Sequence, residues 1–185
     1  MVYVDIETVI NPQDLLSNKE TAISFKWWLA RIRSRAEKAV AKELTSKGEK
    51  FFLPIMVIEK KIRGRKITCN IPLYPGYIFI AGDEDTPHYV FPSSHVVCMN
   101  PVIDKGTLLG RLCMTWQFMQ SQRSIRLESN TRLGQLVKVS SGPLCGICGR
   151  LIDEEPTSRR LVVSGILTSG DISIDLQRDK VLVEA

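Results

Sequence analysis

Pro72-Leu73-Tyr74-Pro75-Gly76-Tyr77-Ile78-Phe79-Ile80 joins a rigid turn to a β-prone run, and its reading decides the fold of the first half of the chain. Pro72 and Pro75 fix φ on either side of Leu73 and Tyr74, and Gly76 admits a backbone angle that side-chain-bearing residues avoid. Strand alternation then sets Tyr77 and Phe79 on one face and Ile78 and Ile80 on the other. Two outcomes fit this pattern. Either one face joins the core and leaves aromatics for a partner, or the strand is buried on both sides, as continuous apolar runs also signal.

Upstream of the turn, Trp27 to Arg33 reads as a strand with Trp28, Ala30 and Ile32 on one face. Its other face passes from Trp27 and Leu29 to Arg31 and Arg33, starting apolar and ending basic. Ser34 followed by Glu37 has capping-box spacing and predicts a helix from Arg35 to Ser46, with an Ala36, Val40, Leu44 stripe and Gly48 as its stop. The opposite helix face holds Arg35, Lys38 and Lys42, either a solvated face or part of a ridge shared with Arg31 and Arg33. Phe51 to Glu59 is β-prone and interrupted by Pro54. Lys60, Lys61, Arg63, Arg65 and Lys66 then surround Gly64, and Ile67 to Ile71 reads as a return strand. The expectation is a hairpin arm carrying five cations, a shape suited to phosphate contact; a plain solvent-exposed turn is the other reading.

Downstream, Thr86 or Asp85 caps a short helix through Val90, Val96 to Val102 is a strand, and Thr107 caps a helix from Leu108 to Gln122. Leu108, Leu112, Trp116 and Met119 form its core stripe. Arg123 to Arg132 reads as a polar linker. Beyond it, Leu136–Val139, Ile147–Ile152, Leu161–Ser164, Ile172–Leu176 and Val181–Val183 are β-prone runs separated by turn residues, which predicts a small five-stranded barrel. Residues 1–24 are expected to be a flexible leader, 25–122 the first domain, 123–131 the linker and 132–185 the second domain.

Charge separates the two halves. Residues 26 to 66 hold thirteen Lys and Arg against four Glu, a balance of +9, whereas residues 131 to 185 hold seven of each sign. A polyanion would therefore meet the first half. No run of about 18 apolar residues is present, so no membrane span is expected, and Met1 to Asp14 lacks the basic start and apolar centre of a secretory signal. The five cysteines are odd in number and irregularly spaced, as for reduced thiols in a cytoplasmic protein.

From Phe25 to the end, these features resemble a known family. Trp27-Trp28-Leu29-Ala30, the Ser34 to Leu44 helix and Pro72 to Phe79 resemble the N-terminal domain of the NusG family of transcription elongation factors. Gly134-Gln135-Leu136-Val137-Lys138-Val139, with Gly142 to Gly146 and Gly149, looks like that family's C-terminal KOW motif. Leu53 to Met56, Glu59-Lys60, Arg63-Gly64 and Pro72 to Pro75 are also similar to the specialised RfaH-like antiterminator branch. The fold so implied is α+β: a NusG-type α/β sandwich with a mainly antiparallel sheet and flanking helices, then a five-stranded KOW β-barrel.

The resemblance implies a cofactor-free, monomeric factor for transcription elongation or antitermination. Its N-terminal domain would bind RNA polymerase in an apolar depression formed or supported by Trp28, Leu73, Tyr74, Tyr77 and Phe79, with Tyr74 in direct contact. Thr86-Pro87-His88-Tyr89 would lie where such proteins meet the opposite jaw of the enzyme. Arg31, Arg33, Arg35, Lys38 and Lys42 would touch the non-template DNA strand, although the family commonly has glycine where this chain has Arg35. The loop Pro143, Leu144, Cys145, Gly146, Ile147 would offer an apolar edge to a small-subunit ribosomal protein or a termination factor. Refolding of that domain as a helical hairpin is disfavoured by its Val, Ile, Gly and Pro content.

Catalysis is not expected. Cys145-x-x-Cys148 could suggest redox or zinc chemistry, but a second ligand pair is missing and His88 and His95 lie far upstream, so structural positions in the KOW loop and strand explain both thiols. No phosphate-binding glycine loop, serine triad or paired-carboxylate motif stands out. The alternative function is a KOW-containing RNA- or ribosome-binding protein without polymerase contact.

Overall fold

The computed structural model describes residues 9–62, 65–90, 92–121, 125–128, 134–142, 144–155, 158–163, 171–176 and 181–183. The chain divides into two compact units, Met1–Cys113 and Met114–Ala185. This boundary falls inside the last helix, earlier than the linker expected at 123–131.

In the first unit, β1 (Ile10–Asn11), β3 (Lys50–Phe52), β6 (Tyr77–Gly82), β2 (Lys26–Ile32) and β7 (Val96–Pro101) form one antiparallel sheet in that order. Among the described residues β4 (Ile55–Ile62) and β5 (Arg65–Pro72) pair with each other in a separate two-stranded ribbon, as the expected hairpin requires. Pro54 makes the break anticipated between β3 and β4, and its carbonyl accepts the Leu73 amide at 2.8 Å. Ile78, Phe79, Ile80 and Ala81 of β6 are all buried, and so are Phe51, Phe52 and Leu53. Each such large side chain stabilises the unit by roughly 1.5–3 kcal/mol. The organising strand is thus buried on both faces beyond Tyr77.

Helix α2 (Glu37–Ser46) buries Val40 and Leu44 of the expected stripe together with Glu37 and Ala41, while Ala36, just before it, is half-buried. It ends in a Schellman closure: the Glu49 amide donates to the Leu44 carbonyl at 2.9 Å and that of Gly48, at φ 73°, to the Thr45 carbonyl at 3.0 Å. Its start differs from expectation. The N-cap is Ala36, with no side-chain cap bond, because Arg35 sits in the left-handed region at φ 64° and Glu37 is engaged elsewhere.

Two other caps move to nearby aspartates. Asp83 Oδ1 accepts the amides of Asp85 and Thr86, each at 3.0 Å, ahead of α3 (Thr86–Val90), while Thr86 Oγ1 accepts the Asp83 amide at 2.9 Å. The Thr86 hydroxyl holds the Asp83 carboxyl below the usual carboxylate range. Asp104 Oδ1 accepts the Thr107 amide at 3.0 Å, so α4 starts at Lys105 and runs to Gln120. A carboxylate is a charged acceptor that reaches the amides two and three residues on, and it competes well with the threonines proposed from spacing.

Residues 9–24 are structured, contrary to the flexible leader expected. Ile10 pairs with Phe52, α1 (Lys19–Ser24) is capped by Asn18, and Val9, Ile10, Leu15, Leu16 and Ala22 are buried. The signal was faint because these apolar residues follow neither period. Trp27 Nε1 donates to the Ala22 carbonyl at 2.9 Å, giving a buried indole its polar partner.

The second unit contains β8 (Ile125–Glu128), β9 (Gln135–Val139), β10 (Cys148–Glu155), β11 (Ser158–Val163), β12 (Asp171–Asp175) and β13 (Val181–Val183) in an antiparallel sheet ordered β13-β9-β10-β11-β12-β8. All five expected strands are present. The sixth, β8, comes from the supposed linker, where Ile125 and Leu127 alternate with Arg126 and Glu128 over too short a run to stand out. Among the described residues no pairing joins β13 to β8, so the observed element is a six-stranded sheet. Arg160, 2% exposed, donates through Nε to the Ser173 hydroxyl and through Nη2 to the Ser173 carbonyl, both at 3.0 Å. Gly149 is required by proximity, since a Cβ there would lie 2.5 Å from the Val162 carbonyl oxygen. Gly149→Ala is expected to destabilise this unit by about 1–3 kcal/mol, read as a lower urea midpoint; an unchanged midpoint would contradict the close β10–β11 approach.

Candidate partner and nucleic-acid interface

The Tyr74-Pro75-Gly76-Tyr77 turn is closed by the Tyr77 amide on the Tyr74 carbonyl at 3.2 Å, with Gly76 at φ 82°. Proline at the second position and a positive-φ glycine at the third are the requirements of a type II turn. Both polar groups of the Gly76 residue then reach other elements. Its carbonyl accepts the Ile32 amide at 2.7 Å, and its amide donates to Glu37 Oε1 at 2.7 Å. The turn is therefore stitched to the end of β2 and the start of α2. Glu37, buried although charged, spends its carboxylate on this bond rather than on a capping box with Ser34.

The cross-strand register places Arg31 beside Tyr77 on one side and Cys98 on the other, and Leu29 beside Phe79 and Asn100. Trp27 is buried, Leu29 half-buried and Arg31 exposed, as the apolar-to-basic alternation predicts. Tyr77 and Cys98 are partly exposed and Asn100 is exposed. This strip of Leu29, Arg31, Tyr77, Cys98 and Asn100 is an accessible patch on the sheet. Sequence reading singled out Tyr77 and Arg31 but missed Leu29, Cys98 and Asn100 as neighbours, because only register reveals them.

The other aromatic candidates are arranged differently. Tyr74 is 1% exposed and meets Phe79 edge-on, with ring centroids 6.0 Å apart at 85°. Leu73 and Phe79 are also buried. Direct contact through Tyr74 is thus corrected: the turn directs its ring inward, where it packs against Phe79. Trp28 is half-buried on the opposite sheet face, its Nε1 donating to the Asp83 carbonyl at 3.3 Å. In the 86–89 segment, Thr86 is buried in its cap whereas His88 and Tyr89 are exposed, Tyr89 by 59%.

Arg31, Arg33, Arg35, Lys38 and Lys42 are all exposed. Among the described residues the ion pairs are Lys26–Glu84 and Lys47–Glu43, neither of which involves these cations. The Lys47 ammonium, 2.7 Å from Glu43, holds that carboxyl below its ordinary range. Arg33 is fixed through its backbone, donating to the His95 carbonyl at 2.9 Å and accepting the Ala36 amide at 3.1 Å. Lys38 differs from the rest, since its Nζ donates to the Asn70 carbonyl at 2.7 Å and so ties α2 to β5. In the ribbon, Lys61 pairs in register with Lys66 and Lys60 with Ile67, which is 41% exposed; Arg65 is exposed. Arg63 and Gly64 lie outside the described residues.

In the second unit, the 142–147 loop turns its apolar residues inward. Leu144 and Ile147 are buried while Cys145 and Gly146 are exposed, so the expected apolar edge is not formed by those two side chains; Pro143 lies outside the described residues. Packing beneath the sheet outcompetes display of these residues to solvent. Among the described residues no group of three or more His, Cys, Asp or Glu could hold a metal ion, and no helix is long and apolar enough to cross a membrane.

Residues 25–101, from the start of the central strands to the end of β7, match the family model described as transcription termination factor NusG. Among solved structures the chain is similar to Thermotoga maritima NusG, at 21% identity over 88% of this chain and 94% of the other, with a TM-score of 0.40. It is also similar to the MjSpt4:Spt5 complex in conformation A, at 13% identity over 86% of this chain and 99% of that one, with a TM-score of 0.29. No curated protein matches the sequence.

Two substitutions test the geometry. Glu37→Ala leaves the Gly76 amide without its acceptor and is expected to cost about 1–3 kcal/mol in urea unfolding, with Glu37→Gln retaining most of the stability through its amide oxygen; equal midpoints for all three proteins would contradict the bond. Arg35→Gly removes a left-handed side-chain penalty and is expected to raise stability by about 0.5–1 kcal/mol after the greater chain entropy of glycine is counted. A lower midpoint would contradict it.

Proposed function

We propose that this protein is a non-enzymatic, cytoplasmic transcription elongation or antitermination factor that binds RNA polymerase through its N-terminal domain. The observation that carries the reading is the coincidence of the segment matching the NusG family model, residues 25–101, with an accessible aromatic on its sheet, Tyr77, framed by Leu29, Arg31 and Cys98. An aromatic bordered by apolar and cationic groups suits a protein interface, because a ring supplies contact area at low entropic cost and an arginine adds directed hydrogen bonds. Leu73, Tyr74 and Phe79 are buried in the core next to it in sequence and hold the turn and strand that carry it.

Arg33, Arg35 and Lys42, with the β4–β5 arm, are the proposed contacts to the displaced non-template DNA strand. Exposed cations outside the ion pairs described are available to phosphates, and binding of this kind weakens steeply with salt. Similarity of the arm to the RfaH-like branch belongs to the same proposal. The second unit is read as a KOW module whose 142–147 loop recruits a ribosomal protein or a termination factor, through its backbone and Cys145–Gly146 edge. Equal numbers of acidic and basic groups over residues 131–185 favour a protein partner there.

Pull-down of core RNA polymerase with the full chain tests the proposal. Tyr77→Ala is expected to weaken capture at least about tenfold, the loss of one anchoring ring at an interface, with an unchanged unfolding midpoint. Tyr74→Ala is a poor control since it removes a buried support. Capture that survives Tyr77→Ala and disappears on ribonuclease treatment would favour the RNA- or ribosome-binding alternative.

A further inference from the structure

Cysteine is among the most buried of residue types, and Cys145 and Cys148 are explained at the level of sequence only by their loop and strand positions. In the structure both side chains are exposed, while Leu144 and Ile147, beside and between them, carry the packing. The two thiols belong to one tight connection between β9 and β10. The Ile147 amide closes a turn on the Leu144 carbonyl at 3.2 Å, and the Gly146 amide returns to the Val139 carbonyl at 2.8 Å. Cys148 Sγ leans back over this turn, 3.9 Å from the Gly146 carbonyl oxygen. Its sulfur thus lies near the backbone that joins the two cysteines.

We infer that Cys145 and Cys148 form a reversible dithiol–disulfide site on the exposed edge of the β9–β10 connection. A disulfide requires Cα atoms about 4.4–6.8 Å apart and a dihedral near 90°; the turn spans Leu144 to Ile147, with Cys145 inside it and Cys148 immediately after it, so closure needs a backbone adjustment between the two. Gly146 supplies that adjustment: it sits at φ 90°, and nothing lies within 4 Å of the position a Cβ would take. The buried Leu144 and Ile147 hold the connection to its sheet while its exposed side closes.

The chemistry is thiol–disulfide exchange with a low-molecular-weight disulfide. One cysteine, as thiolate, attacks the external disulfide, which forms a mixed disulfide and releases one small thiol. The second cysteine then attacks the protein sulfur of that mixed disulfide, forming the Cys145–Cys148 bond and releasing a second small thiol. Two protein thiols are oxidised, one external disulfide is reduced to two thiols, and the two cysteine protons end on those products. The site stands independently of any polymerase contact.

Exposure of the full chain to oxidised glutathione, followed by alkylation and peptide mapping, tests the inference. The expected product is a single internal link between Cys145 and Cys148, reversed by dithiothreitol, with Cys69, Cys98 and Cys113 still alkylated. In Cys145→Ser, Cys148 should instead accumulate as a stable glutathione adduct, since the resolving thiol is gone. Persistent glutathione adducts on both cysteines of the natural chain, links between molecules, or two thiols that stay reduced would each overturn it.

Discussion

One residue of backbone, Gly76, holds three elements of the first unit together. Its carbonyl takes the last amide of β2 and its amide takes the carboxylate that begins α2, each at 2.7 Å. Neither bond is large beside the core: a hydrogen bond contributes about 1 kcal/mol net, or about 1.5–3 to a charged group, against roughly 1.5–3 for every buried Phe or Ile of β6. The core makes the sheet, and the two bonds decide where its loops point. With the turn fixed, Tyr77 emerges on the sheet face beside Arg31 while Tyr74 is turned into the core against Phe79.

The same stitch accounts for the conformation next to it. Between Ile32, held by Gly76, and Glu37, held by Gly76 again, the chain has four residues in which to reverse from strand to helix. Arg33 uses its amide on His95, and Arg35 takes a left-handed angle that an L-residue adopts at a cost. Those constraints display Arg33 and Arg35 on an exposed loop. Position of the cations, and not only their number, is therefore a product of the turn.

Much of this was legible in the residues. Pro75-Gly76 announced the turn, the Trp27 to Arg33 alternation gave the correct buried and exposed faces, Pro54 marked the break between β3 and β4, and the basic hairpin paired in the expected place. What was not legible depended on distance in sequence. Glu37 lies three residues from Ser34 and thirty-nine from Gly76, and spacing favours the near partner although the fold uses the far one. Tyr74 could have faced either way until the turn chose. β1 and β8 were missed because strands this short need a partner, Phe52 or the neighbouring β12, before their few residues carry a pattern. In the sequence Cys145 and Cys148 are only loop and strand positions, and the fold is needed to show that both thiols are exposed while Leu144 and Ile147 take the interior.

Amide hydrogen exchange at Gly76 measures the central claim most directly. If the Gly76 amide is held by Glu37 in solution, it exchanges as slowly as the amides of Ile78 and Ile80 in β6, despite its place in a loop. Exchange at the rate of an unprotected turn would show that the stitch between turn, strand and helix does not hold, and the placement of Tyr77 and the arginines would need another cause.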